Sequence, residues 1–162
     1  MTGVPPMTET YSPNEEKRSK KRPLALVTGA SRGIGRATAL ALAEAGFDLF
    51  LIARKEAEKL KDTAVRCQSL GAAVETRCAD IGDYAACEAI FTALDACPGS
   101  LTLLVANAGI SKLGLLQDLS PEDWDTMIRT DLSSCFYLSR LAIPRMLRAE
   151  GGKLIFISSV WG

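Results

Sequence analysis

The fold is decided by one stretch of the sequence, Leu24-Ala25-Leu26-Val27-Thr28-Gly29-Ala30-Ser31-Arg32-Gly33-Ile34-Gly35. Its first five residues form an apolar run between a proline and a glycine, which predicts a buried strand. Helical periodicity over residues 33–45 predicts a helix, which Gly46 ends. A strand that turns through glycines into a helix brings free backbone N–H groups and the positive helix end to one point, where a pyrophosphate fits.

The three glycines of this turn have different expected roles. Gly29 allows the tight turn, Gly33 allows a ligand to approach the backbone, and Gly35 lets the helix pack closely against the strand. An ordinary turn with small residues is the alternative, but the position between a strand and a helix favours dinucleotide binding. The predicted binding turn comprises Gly29, Ala30, Ser31, Arg32, Gly33, Ile34 and Gly35.

Outward from this turn, strands and helices alternate along the chain. Further strands are predicted over residues 49–52, 73–78, 101–105 and 153–157, and helices over 55–70, from Asp83 to about Cys97, and over 121–148. The strands are mostly continuous apolar runs, which is typical of a parallel sheet that helices cover on both faces. The predicted class is α/β, a Rossmann-type doubly wound parallel sheet that stops after about the fifth strand.

The last predicted helix has a clear start and a marked apolar face. Ser120 is placed to cap it, and Pro121 occupies its first position. Pro144 is expected to bend or break its last part. One face carries Trp124, Ile128, Leu132 and Phe136.

Composition excludes several classes of protein. The chain has 162 residues, of which 48% are apolar and 23% charged, as in a globular domain. No apolar run approaches the roughly 20 residues of a membrane helix, so no membrane partner is expected. The absence of histidine excludes a Ser-His-Asp triad and any His-ligated metal, and we predict no metal site. Five scattered cysteines without a CxxC pair favour reduced thiols and a cytoplasmic protein.

The N-terminal residues 1–23 differ in composition from the rest of the chain. They are rich in Pro, Ser, Thr and charge, so we expect a disordered tail, followed by an incomplete nucleotide-binding domain over residues 24–162. The tail ends in a basic run, Lys17-Arg18-Ser19-Lys20-Lys21-Arg22. A nucleic-acid contact is one interpretation, but a solvated tail is favoured, because the net charge of the whole chain is zero and no nucleic-acid partner is expected.

The end of the second predicted strand indicates which cofactor binds. An acidic residue there would bind the adenosine ribose 2′-OH of NAD, but the sequence reads Ile52-Ala53-Arg54-Lys55. Arg54 and Arg32 can instead make bidentate contacts to a 2′-phosphate. We therefore predict NADP(H) as the cofactor.

These features resemble the short-chain dehydrogenase/reductase family. The turn has the family's Gly-x-x-x-Gly-x-Gly spacing, and Ala106-Asn107-Ala108-Gly109 resembles its Asn-Asn-Ala-Gly motif with Ala in the first place. Residues 123–124, 130–134 and 153–159 are similar to bacterial 3-oxoacyl-carrier-protein reductases. The resemblance implies that Asp80 and Ile81 lie beside the adenine. It also implies that Asn107, Ala108 and Gly109 bind the cofactor.

The resemblance also implies catalytic positions. Ser159, or failing it Ser158, corresponds to the serine that orients the substrate carbonyl. Asp131 stands where the family usually has an Asn that supports a proton relay; Asp adds charge and loses two N–H donors, which puts that role in doubt. The family's general acid is a Tyr followed four residues later by a Lys. None of the three tyrosines has that spacing, so we expect a truncated, inactive chain whose catalytic Tyr and Lys lie beyond Gly162.

Three functional interpretations stay open at this point. The leading one is an NADPH-dependent carbonyl reductase acting on a small or carrier-bound 3-oxoacyl thioester or a similar ketone, with a homotetrameric full-length parent. Ser158-Ser159-Val160-Trp161-Gly162 also resembles a branch of the family that reduces the 5-aminopentanone group on elongation factor P. The third is a non-catalytic dinucleotide-binding fragment.

Overall fold

A computed structural model of the chain describes residues 22–159. Its centre is a five-stranded sheet in the order β3-β2-β1-β4-β5, in which every neighbouring pair is parallel. This order confirms the predicted Rossmann-type class. The strands are β1 (Leu24–Thr28), β2 (Asp48–Ala53), β3 (Val74–Cys78), β4 (Leu101–Ala106) and β5 (Lys153–Phe156).

Five α-helices connect these strands, where the alternating pattern predicted four. Asp83 caps the third, since its side chain accepts a hydrogen bond from the Ala85 N–H, and Ser120 caps the fourth in the same way through the Asp123 N–H. Both caps are the predicted ones. The helices are α1 (Gly33–Glu44), α2 (Ala57–Ser69), α3 (Tyr84–Leu94), α4 (Pro121–Met127) and α5 (Ser134–Arg148).

The core forms two layers, one on each face of the sheet. Because side chains alternate along a strand, Leu24 and Leu26 of β1 face α3 and α5, whereas Ala25 and Val27 face α1 and α2. All four are at most 2% exposed. A strand that is buried on both faces must be apolar throughout, which explains the continuous runs in the sequence.

The region predicted as one helix over 121–148 is divided in two. A π-helical turn, Ile128–Ser133, joins α4 to α5, and the Ser134 N–H donates to the Arg129 carbonyl. Side-chain donors satisfy carbonyls in this wider turn: the Ser134 hydroxyl donates to the Thr130 oxygen at 2.5 Å, and the Cys135 thiol to that of Asp131 at 3.2 Å. Pro144 does not end α5, which continues for four more residues.

The apolar face predicted on this region lies at the surface. Trp124, Leu132 and Phe136 are 54%, 64% and 62% exposed. Three apolar residues at the end of β5 are also exposed: Ile155, Phe156 and Ile157. Within residues 22–159, no helix is both long and apolar enough to cross a membrane.

Arg22, which the sequence analysis assigned to the tail, contacts the end of α1. Arg22 donates hydrogen bonds to the carbonyls of Gly46 at 2.9 Å and Ala43 at 3.1 Å, and it lies 3.5 Å from the Asp48 carboxylate. Carbonyls at the end of a helix and a nearby acid attract a guanidinium, so Arg22 packs against the end of α1, and the domain boundary at Leu24 stays a prediction. The rest of the basic run lies outside the described residues.

Candidate functional site

The carboxyl ends of the central strands surround a cleft of about 450 Å³. In an open parallel sheet, ligands bind at this edge, where neighbouring connections diverge to opposite faces. Five segments form its wall: the glycine turn after β1, the end of β2 with the residues after it, the loop after β3, the loop after β4 and the π-helical turn. Its lining residues are Gly29, Ser31, Arg32, Ile52–Glu56, Ala79–Ile81, Asn107–Ile110 and Thr130.

At Gly35 the glycine turn packs too tightly to admit a side chain. A Cβ on Gly35 would lie 2.3 Å from the Gly29 carbonyl oxygen and 2.5 Å from the Asn107 amide nitrogen. Gly33 differs, since its φ of +56° favours glycine and no atom lies within 4 Å of its Cβ position. Gly35 therefore permits close packing, and the space beside Gly33 is open, while the approach of a ligand at Gly33 stays a prediction.

Thr28, which the sequence analysis did not single out, joins the glycine turn to the loop after β4. Its fully buried hydroxyl oxygen accepts hydrogen bonds from the N–H groups of Asn107 and Ala108, both at 3.0 Å. The Asn107 side chain returns the contact, since its amide donates to the Thr28 carbonyl at 2.9 Å. Asn107 therefore holds the turn in place through its side chain.

Replacing Thr28 with valine should measure the strength of this connection. Valine matches the shape of threonine but accepts no hydrogen bond, so two partly buried N–H groups would lose their partner. We expect the free energy of unfolding to fall by about 1–3 kcal/mol, as measured by urea denaturation. Thr28→Ser, which keeps the hydroxyl, should lose less, and equal losses in the two variants would contradict this account.

The two predicted arginines lie at the rim of the cleft, each beside an acid. The Arg54 guanidinium is 3.9 Å from the Asp80 carboxylate, and that of Arg32 is 3.6 Å from Glu56. Their side chains are 41% and 78% exposed, so both remain accessible to a ligand. Among the lining residues, three bases outnumber two acids, which leaves the rim positive at neutral pH.

Glu56 is a lining residue that the sequence analysis missed. No acid occurs at residues 52–55, but Glu56 follows directly and accepts hydrogen bonds from the Ser31 hydroxyl at 3.2 Å and from Lys59 at 2.6 Å. The hydrogen bond from Lys59 is the main cause that lowers the pKa of Glu56, and Ser31 and Arg32 add to it. The carboxylate is therefore charged at neutral pH.

Asp80 and Ile81 line the cleft after β3, and their position beside the adenine stays a prediction. Asp80 accepts a hydrogen bond from the Gly82 N–H at 2.9 Å, which shapes the loop, and Ile81 is buried beneath it. No three His, Cys, Asp or Glu residues between Arg22 and Ser159 cluster closely enough to hold a metal ion.

Asp131 lies in the π-helical turn and acts on the loop after β4. Its carboxylate accepts a hydrogen bond from the Ile110 N–H at 2.9 Å, and a Cβ on Gly109 would lie 3.3 Å from the same oxygen. Asp131 itself does not line the cleft, although its neighbour Thr130 does. The acceptor oxygen that Asp shares with Asn is thus used to hold residues 109–110.

Ser159 and Ser158 follow β5 at the same edge of the sheet. The Ile157 N–H donates to the Ala106 carbonyl at 3.0 Å, so this segment runs beside the start of the 107–110 loop. Both serines are exposed, and neither lines the cleft.

Of the predicted cofactor residues, the structure brings nine to the cleft wall: Gly29, Ser31, Arg32, Arg54, Asp80, Ile81, Asn107, Ala108 and Gly109. Ala30, Gly33, Ile34 and Gly35 belong to the turn itself.

A family model described as short chain dehydrogenase matches residues 23–162 of the chain. The chain belongs to this family. The resemblance drawn from the glycine turn and the Asn-Ala-Gly loop is therefore confirmed.

Curated members of the short-chain dehydrogenase family support the assignment at modest identity. The chain is 36% identical over 141 residues to sepiapterin reductase of Chlorobaculum tepidum, covering 83% of the chain and 58% of that protein. It is 38% identical over 138 residues to the 3-oxoacyl-[acyl-carrier-protein] reductase FabG of Staphylococcus aureus, covering 85% and 56%. The chain thus spans a little over half the length of these relatives.

Solved structures of the family share the fold. A metagenomic short-chain oxidoreductase in complex with NADP superimposes with a TM-score of 0.80 at 36% identity, covering 85% of this chain and 62% of that one. Carveol dehydrogenase from Mycobacterium avium in complex with NAD gives a TM-score of 0.81 at 28% identity, covering 85% and 55%. Solved structures with this fold therefore include one in complex with NADP and one in complex with NAD.

Proposed function

We propose that this chain binds NADP(H) for the reduction of a ketone, namely a 3-oxoacyl thioester. The observation that carries the proposal is the placement of Arg32 and Arg54 at the rim of the cleft that the glycine turn closes. The glycine turn suits the pyrophosphate of the cofactor, and the rim that carries the two arginines suits its 2′-phosphate.

The glycine turn fits a pyrophosphate in its chemistry. The first turn of α1 contains no acidic residue, and no side chain caps its N-terminus, so its N–H groups keep their capacity to bind an anion. Gly33 leaves open space beside the backbone at this point. These are the features that favour a phosphate at a helix N-terminus.

The rim of the cleft fits a 2′-phosphate better than a bare ribose. Arg32 and Arg54 present guanidinium groups from two different segments, and both are partly exposed. A guanidinium binds phosphate through paired, charge-assisted hydrogen bonds, which are stronger than neutral ones. In the absence of an anion, Asp80 pairs with Arg54 and Glu56 pairs with Arg32. Ion pairs as exposed as these contribute little to stability.

Two further residues, Ser159 and Asp131, are proposed to act on the substrate side of the site. NADPH supplies the hydride when it is bound. We assign to Ser159 the role of donating its hydroxyl to the substrate carbonyl, because the segment after β5 lies beside the 107–110 loop. Asp131 holds that loop through the Ile110 N–H, which makes it a positioning residue in this proposal.

The 3-oxoacyl class is supported by the FabG relative and by the motifs after β4 and β5. The elongation factor P interpretation depends on Trp161, which lies outside the described residues. A tetrameric parent is supported by the exposed apolar residues Leu132 and Phe136. A cytoplasmic location stays a prediction.

Titration calorimetry of the 162-residue chain with NADPH and NADH tests the cofactor part of this proposal. We expect NADPH to bind at least about tenfold more tightly, because one charge-assisted hydrogen bond contributes about 1.5–3 kcal/mol. Raising the salt concentration should weaken NADPH binding more than NADH binding, since the extra contacts are ionic. Equal affinity for the two cofactors would overturn it. NADPH oxidation with a 3-oxoacyl thioester, measured on the chain extended by a segment that carries a Tyr and a Lys four residues later, then tests the substrate class.

A further inference from the structure

Glu56 lies beside Arg32, a proposed ligand of the 2′-phosphate, and directly precedes the helix α2. We infer that its carboxylate is a specificity determinant that limits the preference of the chain for NADP(H) over NAD(H), because it competes with the 2′-phosphate for Arg32. The inference rests on the proposed function and adds to it a residue that works against the two arginines.

The backbone of Glu56 directs its side chain toward the glycine turn. Its φ of +64° lies in the left-handed region, which residues other than glycine rarely adopt, and such strain tends to occur at functional positions. Glu56 is also the N-cap residue of α2, yet its side chain does not cap that helix. The carboxylate instead accepts the Ser31 hydroxyl and lies 3.6 Å from the Arg32 guanidinium.

The contacts of Glu56 hold the carboxylate charged and in place. Lys59, one turn along α2, donates to it at 2.6 Å, and a third of the side chain remains exposed. A 2′-phosphate bound by Arg32 would therefore approach a fixed negative charge, and like charges within a few ångströms repel each other. A ribose 2′-OH carries no charge and avoids this repulsion. Glu56 therefore narrows the difference in affinity between the two cofactors.

Nucleotide fragments separate this effect from catalysis. We would titrate the 162-residue chain with adenosine 2′,5′-bisphosphate and with adenosine 5′-monophosphate, which differ in the 2′-phosphate. In Glu56→Gln, which keeps the shape but removes the charge, the bisphosphate should bind about three- to tenfold more tightly. The affinity for the monophosphate should change little.

Glu58→Gln is the matched control. Glu58 lies two residues further on, in the first turn of α2, and does not line the cleft. Its replacement removes the same charge from the same helix end, so it should leave the ratio of the two affinities near that of the wild type. An equal gain in Glu58→Gln would show a general charge effect and overturn the inference.

Glu56→Gly covers the case in which glutamine disturbs the fold, since glycine adopts this backbone conformation readily. Thermal unfolding would show which variants fold. Bisphosphate affinity that is unchanged or weaker in the folded variants would overturn the role of Glu56. A wild-type chain that binds both fragments equally would overturn the NADP(H) proposal instead. The role of Glu56 is tested only by the change in bisphosphate affinity from wild type to variant.

Discussion

Gly35→Ala is expected to abolish nucleotide binding and to lower the free energy of unfolding by more than about 3 kcal/mol, beyond the usual cost of overpacking. The added Cβ would lie 2.3 Å from the Gly29 carbonyl oxygen and 2.5 Å from the Asn107 amide nitrogen. One of these atoms belongs to the backbone of the turn. The turn must therefore open, and its separation from α1 changes the site where the pyrophosphate is proposed to bind.

Urea denaturation and calorimetry with NADPH would measure both effects, with Gly46→Ala as the control. Gly46 has a φ of +91° at the end of α1, but no atom lies within 4 Å of its Cβ position. The control should therefore lose only about 1–2 kcal/mol from backbone strain and keep its affinity for NADPH. A Gly35→Ala chain with wild-type stability and affinity would contradict the steric account.

The positions of the strands follow from short-range features of the sequence, whereas their order in the sheet is known from the structure. Continuous apolar runs identified β1 with the bounds it has in the structure, because a strand covered on both faces has no polar side to show. The helix ends were less exact: the helix predicted to run to about Cys97 ends at Leu94, followed by turn residues. Local capping fixes where a helix starts more firmly than where it stops.

The π-helical turn could not be predicted in this way. Residues 121–148 have helical periodicity, and a π turn adds only one residue to it. What distinguishes the turn is the backbone bond from the Ser134 N–H to the Arg129 carbonyl, five residues back, which is visible only in the structure. The turn matters for the site because it sets the position of Asp131 against the 107–110 loop.

The site residues found by motif and those found by structure differ in kind. Glycines and arginines stand out in a sequence because their chemistry is unusual at a strand end. Thr28 and Glu56 have ordinary neighbours, and their importance comes from partners 79 and 25 residues away in the chain. Contacts of that separation depend on the packing of β1 against β4 and β2, which the sequence predicts only as a class.

Arg54→Asp is the substitution expected to change cofactor choice most. It removes one proposed 2′-phosphate ligand and puts a carboxylate beside Asp80, which Arg54 now approaches to 3.9 Å. NADPH binding should weaken by about 10- to 150-fold, the equivalent of about 1.5–3 kcal/mol. NADH binding should change much less, because a carboxylate at the strand end accepts a hydrogen bond from a ribose 2′-OH.

Arg66→Asp provides the same change of charge away from the cleft. Arg66 lies in the last turn of α2, where it pairs with Asp62, and it does not line the cleft. Calorimetry of both variants with NADPH and NADH separates a local contact from an effect of net charge. If the two variants lost the same affinity for NADPH, or if Arg54→Asp weakened both cofactors equally, Arg54 would not be a 2′-phosphate ligand. The expected result is a reduced or reversed preference in Arg54→Asp alone.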